Sequence, residues 1–366
     1  MELQQTIKMS QPPNLQTSPA CRLGKVGTLA QRCVPSPTTA RGQRTCSGEV
    51  IFEENFDSTL DRNRWRHTIR ISGAEEQEFV IYDKRPENSY TRGGILYVKP
   101  QLLPDSTVDS GSITLDGCVG AESSGECHWQ SQSFNIMPPV MSAELKSLPF
   151  TFRYGKVSVR ARMPFGDWIV PHIYLRSQFE NYGKRNSSAR VTVVKSHGNN
   201  DLYLGTKDIG RKRCSQFVKA NYDKREGTAS LDWLSTEGWD EDFHVYEVEW
   251  TPDHLIFGVD DQPKHHLRMT TSLQKMFGFE EKEQNLEAPA AIPPFEQEFY
   301  LGIALYVGGM KEFPDEVENN RRPKPWNNRR VVKARLNFWR DRDAWYPTWD
   351  DETSALQVDY IRITAL

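Results

Sequence analysis

Alternation with a period of two residues restricts this chain more than any other feature. In YGKVSVRARM, residues 154–163, Val157, Val159 and Ala161 fall on one face while Lys156, Ser158, Arg160 and Arg162 fall on the other. Successive side chains of a strand point to opposite faces, so the segment reads as a strand with one buried side. HVYEVEWTPDHLIFGVDDQPK, residues 244–264, reads as two strands joined by a turn at Thr251-Pro252-Asp253 and closed over Asp260 to Pro263. LQVDYIRITAL at the C-terminus is another β-rich segment, and TSLQKMFG, residues 271–278, reads as a short helix. Long strands broken regularly by Gly, Pro, Asn and Asp, with 10 Trp, 13 Tyr and 17 Phe, predict an all-β chain. The expected architecture is a two-sheet antiparallel sandwich whose outer face curves into a groove.

Residues 1–45 are rich in Ser, Thr, Pro, Gln and Arg and show no periodicity, which predicts a disordered tail or linker. The β domain is then expected over 46–366. At 366 residues the chain is long enough to bury a full core. With 46 Lys plus Arg against 49 Asp plus Glu, the formal charge is -3, so no global basic field points to nucleic acid. No apolar run is long enough to span a bilayer, and MELQQTIKMSQPPNLQTSPA lacks the basic start and apolar stretch of a signal peptide.

The six cysteines show no paired CxxC spacing, which disfavours a zinc site. Cys118 and Cys127 bracket the polar loop CVGAESSGEC, and a disulfide closing it is expected to contribute about 2 to 3 kcal/mol. Two unrelated thiols remain the alternative. Asn186-Ser187-Ser188 is a glycosylation sequon, which has meaning only in a secretory compartment.

Several blocks occur in the order of a known family. They are FRYGKVSVRARMPFGDWIVPHIYL (152–175), RPENSY (85–90), FHVYEVEWTPDHLIFGVD (243–260), PFEQEFYLGIALYVGG (294–309) and PKPWNNRRVVKARLNFWRDRDAWYPTW (323–349), with VDYIRI near the end. Together they resemble the laminarinase-type members of glycoside hydrolase family 16. The resemblance implies a concanavalin A-like jelly-roll sandwich with a long concave cleft. Active members carry Glu-x-Asp-x-x-Glu on the strand crossing that cleft, followed by Ser-x-Gly-Asn. Aligning Ser196, Gly198 and Asn199 of SARVTVVKSHGN places Arg190, Thr192 and Lys195 at the three carboxylate positions.

The spacing has a geometric reason: positions i and i+2 share a strand face, and a one-residue bulge lets i+5 rejoin it. A retaining glycosidase needs two carboxyl groups about 5 to 5.5 Å apart, one as nucleophile and one as acid. An arginine has no lone pair to attack an anomeric carbon, and a lysine with a lowered pKa still leaves the first step without a nucleophile. The chain therefore resembles the non-catalytic branch of the family, the β-1,3-glucan recognition or Gram-negative bacteria-binding proteins of arthropod innate immunity.

That resemblance implies a secreted pattern-recognition protein that binds microbial β-1,3-glucan, and in some members lipopolysaccharide, and engages serine proteases of an immune cascade. Members typically begin with a signal peptide and a small immunoglobulin-like glucan-binding domain. Here residues 1–45 resemble only the linker, and a short natural form, an incomplete gene model and a fragment all remain open. In DWIVPHIYL, Ile169, Pro171, Ile173 and Leu175 form one face, leaving Trp168, Val170, His172 and Tyr174 as the expected groove floor. Expected ligand contacts are thus Trp168, His172, Tyr174, Arg190 and Lys195. No cofactor is expected beyond a structural calcium sometimes seen in the fold, for which Asp359 is the position to watch. Two other functions stay open: an active β-1,3-glucanase with relocated carboxylates, and a protein-interaction scaffold that binds no sugar.

Overall fold

The strand read from YGKVSVRARM spans Gly155–Arg162, and burial alternates along its whole length. A computed structural model describes residues 32–71, 77–179, 181–182, 188–222, 225–268 and 294–366. The expected helix at 271–278, the sequon at Asn186 and most of the expected tail lie outside these residues. His244–Trp250 and His254–Val259 pair as an antiparallel hairpin. Its turn is held by Thr251, whose Oγ1 accepts from the His254 amide at 3.0 Å and donates to Asp253 Oδ1 at 2.8 Å. Leu356–Thr364 is the last strand.

Two large sheets dominate. The first runs Gln43–Cys46, Pro35–Ala40, Phe152–Arg153, Phe299–Val307, Ile169–Ser177, Arg190–Ser196, Arg213–Tyr222 and Arg225–Leu234, with Glu144–Lys146 pairing off the path. The second runs His265–Arg268, His254–Val259, His244–Trp250, Gly155–Arg162, Leu356–Thr364, Ile95–Val98 and Ser89–Arg92. Neighbouring strands within each are antiparallel. Val157, Val159 and Ala161 from one sheet and Ile173, Leu175, Val191 and Val193 from the other share one buried cluster. Trp250 bridges the sheets, meeting Phe152 at 5.9 Å and Phe299 at 4.9 Å between ring centroids. Such burial stabilises by about 1.5 to 3 kcal/mol per large apolar side chain, before chain entropy is subtracted. The chain is thus an all-β, two-sheet antiparallel sandwich.

The domain boundary differs from the sequence expectation. Residues 35–45, read as the end of a disordered tail, form with Cys46 a hairpin on the edge of the first sheet, where Thr39 pairs with Arg153. Arg41 and Gly42 both take positive φ, 51° and 73°, as a tight two-residue hairpin turn requires. An edge hairpin needs few apolar side chains, so its composition resembles that of a linker. Val34–Leu366 forms one compact unit.

Candidate functional site

The strand Arg190–Ser196 lies between Ile169–Ser177 and Arg213–Tyr222 in the first sheet. Against Arg213–Tyr222, Thr192 sits opposite Phe217 and Lys195 opposite Ser215. Three steps on one strand therefore match two on the other, a one-residue bulge of the kind the motif spacing predicts. Arg190 and Lys195 consequently line the same open cavity of about 370 Å³. Alternation builds the rest of its wall. On Arg213–Tyr222 the odd-numbered Arg213, Ser215, Phe217 and Lys219 line the cavity. The even-numbered Cys214, Gln216, Val218 and Ala220 are fully buried.

The turn after the strand is fixed by close packing. A Cβ on Gly198 would lie 2.6 Å from the Gly166 carbonyl oxygen and 3.0 Å from that of Pro164, so a larger residue would push the two segments apart. Asn199 accepts a hydrogen bond from the Trp168 amide at 3.0 Å and donates to Asn319 Oδ1 at 3.0 Å.

Inside the cavity, charges are arranged in pairs. Lys195 Nζ donates to Glu312 Oε2 at 2.5 Å, and His197 Nε2 donates to Glu312 Oε1 at 2.8 Å. The Tyr306 hydroxyl adds a third bond to Glu312 at 2.6 Å. Burial alone would disfavour charge on Glu312. Lys195 and His197 outweigh it, and hold the carboxyl well below the usual carboxylate range. Asp232 behaves alike: burial opposes its charge, but hydrogen bonds from Arg213 and Ser215 lower its pKa.

His172 is pushed well below its ordinary pKa by burial, then by the positive charges of Arg190 and Lys195, and is therefore neutral. Its Nε2 lies 3.0 Å from the Thr192 hydroxyl, and its ring stacks on Phe217 at 6.3 Å.

The expected groove floor is only partly realised. Trp168 is 2% exposed and packs edge-to-face on Phe313 and Trp326 at 5.1 and 4.8 Å. Its φ of 64° puts it outside strand geometry, so the parity argument that assigned it to the groove does not apply. Val170 is fully buried in the main core cluster. Tyr174 is on the expected face but is also buried, its hydroxyl donating to Glu144 Oε1 at 2.5 Å. Its ring lies where a Cβ on Gly302, the residue opposite, would stand. Arg70 reaches Glu144 at 3.7 Å and Glu78 at 3.5 Å, closing this end of the floor. Of the five expected contacts, the cavity wall contains Arg190 and Lys195.

The wall also contains residues that the sequence reading passed over: Glu312, Asp232, Arg213, Phe217 and Lys219. Alternation in RCSQFVKA was the available signal for the last three. Glu312 had none, since it is brought to Lys195 across 117 residues of chain.

Elsewhere, Cys118 and Cys127 form a disulfide with an S–S distance of 2.04 Å. Cys33 and Cys46 are each disulfide-bonded, and Cys214 is a buried free thiol. Asp359 is ion-paired with Arg160. Among the described residues, no group of three or more His, Cys, Asp and Glu side chains could hold a metal ion. No helix among them is long and apolar enough to cross a membrane.

Comparison with known proteins places this geometry. The sequence pattern of Glycosyl hydrolases family 16 matches residues 122–289. Beta-1,3-glucan-binding protein 1 of Manduca sexta is 35% identical over 88% of this chain, which spans 66% of that protein's length. Beta-1,3-glucan-binding protein of Penaeus monodon is 35% identical, over 86% of this chain and 89% of its own. The laminarinase of Rhodothermus marinus superposes with a TM-score of 0.54 at 19% identity, over 87% of this chain and 97% of its own, a likeness of fold. From these relatives, the chain belongs to the β-1,3-glucan-binding protein family, built on a glycosyl hydrolase family 16 sandwich.

Proposed function

We propose that this chain recognises microbial β-1,3-glucan without hydrolysing it. The observation that carries the reading is the charge on the strand crossing the cavity, where Arg190, Thr192 and Lys195 stand at the positions aligned with the family's carboxylates. Relocated carboxylates are poor substitutes. Among the described residues, the cavity's carboxylates are Asp232 and Glu312. Both have lowered pKa values, so neither holds a proton for a leaving oxygen near neutral pH. Both are also engaged by cations, which blunts a nucleophile.

The names of the Manduca and Penaeus relatives support glucan as the ligand. The Cys118–Cys127 disulfide supports a secreted, oxidising setting. Serine proteases of an immune cascade complete the proposal on the strength of the family resemblance. Co-sedimentation with insoluble β-1,3-glucan, compared with cellulose, tests it. Retention on the β-1,3-glucan alone is expected, and equal recovery in both supernatants would reject it.

A further inference from the structure

We infer that the cavity over the Arg190–Ser196 strand receives the end of a β-1,3-glucan chain, terminal sugar first, and does not hold an interior stretch. The inference rests on the reading of this chain as a glucan-recognition protein and names the part of the ligand that its site takes.

Strand register carries it. In the first sheet Glu144, Ala304, His172, Lys195, Ser215 and Asp232 stand opposite one another in a single row across six strands. Residues directly opposite in an antiparallel pair share a face, so all six side chains belong to one surface about 24 Å across. The row divides at its middle. Glu144, Ala304 and His172 are buried, whereas Lys195, Ser215 and Asp232 line the cavity. The neighbouring row, Gly302, Tyr174, Thr192, Phe217 and Ser230, divides in the same place. Tyr174 and Thr192 are buried, and Phe217 and Ser230 line the cavity. A trough crossing the whole sheet would leave both halves of each row open. Here the open part of the first row, from Lys195 to Asp232, is two strand spacings, about 10 Å.

Several contacts fill the closed half. The Tyr174 ring occupies the space over Gly302, where a Cβ would come within 2.3 Å of it. Ring centroids of Tyr174 lie 4.9 Å from His172 and 6.4 Å from Tyr300, and Leu148 packs against the Tyr174, Tyr300 and Ala304 group. The Lys146 ammonium lies 5.7 Å from the centre of the Tyr300 ring. At the dividing line stands the Lys195–Glu312 pair, tied to the Tyr306 hydroxyl. A glucan entering from the Asp232 side therefore stops at this pair. The blind end is polar, with Lys195, His197 and Glu312 on its wall. A terminal sugar presents a free hydroxyl where an interior one continues into another sugar, so a closed polar wall suits the terminus.

The test is calorimetry on the full chain with an unbranched β-1,3-glucan oligosaccharide in three forms. One is untreated, one is reduced with borohydride, and one is reduced, oxidised with periodate and reduced again. Borohydride alters only the reducing end. Periodate cleaves vicinal diols, which an interior 3-linked glucose lacks and both termini possess. The periodate-treated form is expected to bind at least about tenfold more weakly than the untreated one. Loss already on reduction assigns the reducing end and loss only after periodate assigns the non-reducing end, and both support the inference. Ser230→Leu, an exposed change on the cavity wall, is expected to weaken binding of the untreated form about tenfold.

Equal affinity for all three forms overturns the inference and leaves glucan recognition standing. Unchanged binding by the Ser230→Leu variant places the ligand outside this cavity and also overturns it. No binding of the untreated form rejects both readings.

Discussion

Lys195 and Glu312 meet at 2.5 Å inside the cavity, with the Glu312 side chain 4% and the Lys195 side chain 14% exposed. A cation on the cavity strand is thus matched by a carboxylate from the segment after Phe299–Val307. Removing one partner strands the other charge in a poorly solvated site. Glu312→Ala is expected to destabilise by about 3 kcal/mol, measured by urea unfolding at pH 7. Because the folded pKa of Glu312 is depressed, its contribution is present above the ordinary carboxylate pKa and lost as pH falls through the lower folded value. The deficit of the variant should therefore shrink in acid. An equal deficit at pH 7 and in strong acid would show that packing, not charge, holds Glu312.

The closed end of the floor has its own pH signature. Burial opposes charge on Glu144, but Lys146, Arg70 and the Tyr174 hydroxyl outweigh it and hold its pKa at about 2. Relative to an ordinary glutamate this is worth about 3 kcal/mol, present above about pH 4.5 and lost as pH falls towards 2. Glu144→Gln should narrow the gap between urea midpoints measured near pH 3 and pH 7. An unchanged gap contradicts the assignment.

Trp168→Ala is expected to destabilise by about 3 to 5 kcal/mol, because the indole fills space against Phe313 and Trp326. Oligosaccharide affinity of the molecules that remain folded should be little changed. A stable variant with lost affinity would return Trp168 to the ligand surface.

These cases show what the sequence could and could not reveal. Gly155–Arg162 was legible because neighbouring strands continue on both sides and its alternation meets one core face. Trp168 was not, since a positive φ just before the strand breaks the parity from which its direction was inferred. The hairpin at 35–46 was hidden by polar composition that an edge can tolerate. Arg190 and Lys195 could be placed on one face from motif spacing and a bulge, whereas Glu312 is a partner made by tertiary folding alone. Strand parity thus predicts faces well, while loops, closures and compensating charges need the fold.

Replacing Cys118 and Cys127 by serine should lower stability by about 2 to 3 kcal/mol, since the bridge closes a short loop. Urea unfolding of parent and double variant, both in the absence of reductant, measures it. Equal midpoints would mean that the loop is held without the bond.

The central claim is recognition without turnover, and one sample can test it. Titrate soluble laminarin oligosaccharide into the full chain in a calorimeter, then assay the same solution for new reducing ends after prolonged incubation. Saturable heat with reducing ends at the buffer background is the predicted result. New reducing ends that rise with protein concentration, and disappear in a Glu312→Gln or Asp232→Asn variant, would contradict it and identify a relocated catalytic carboxylate.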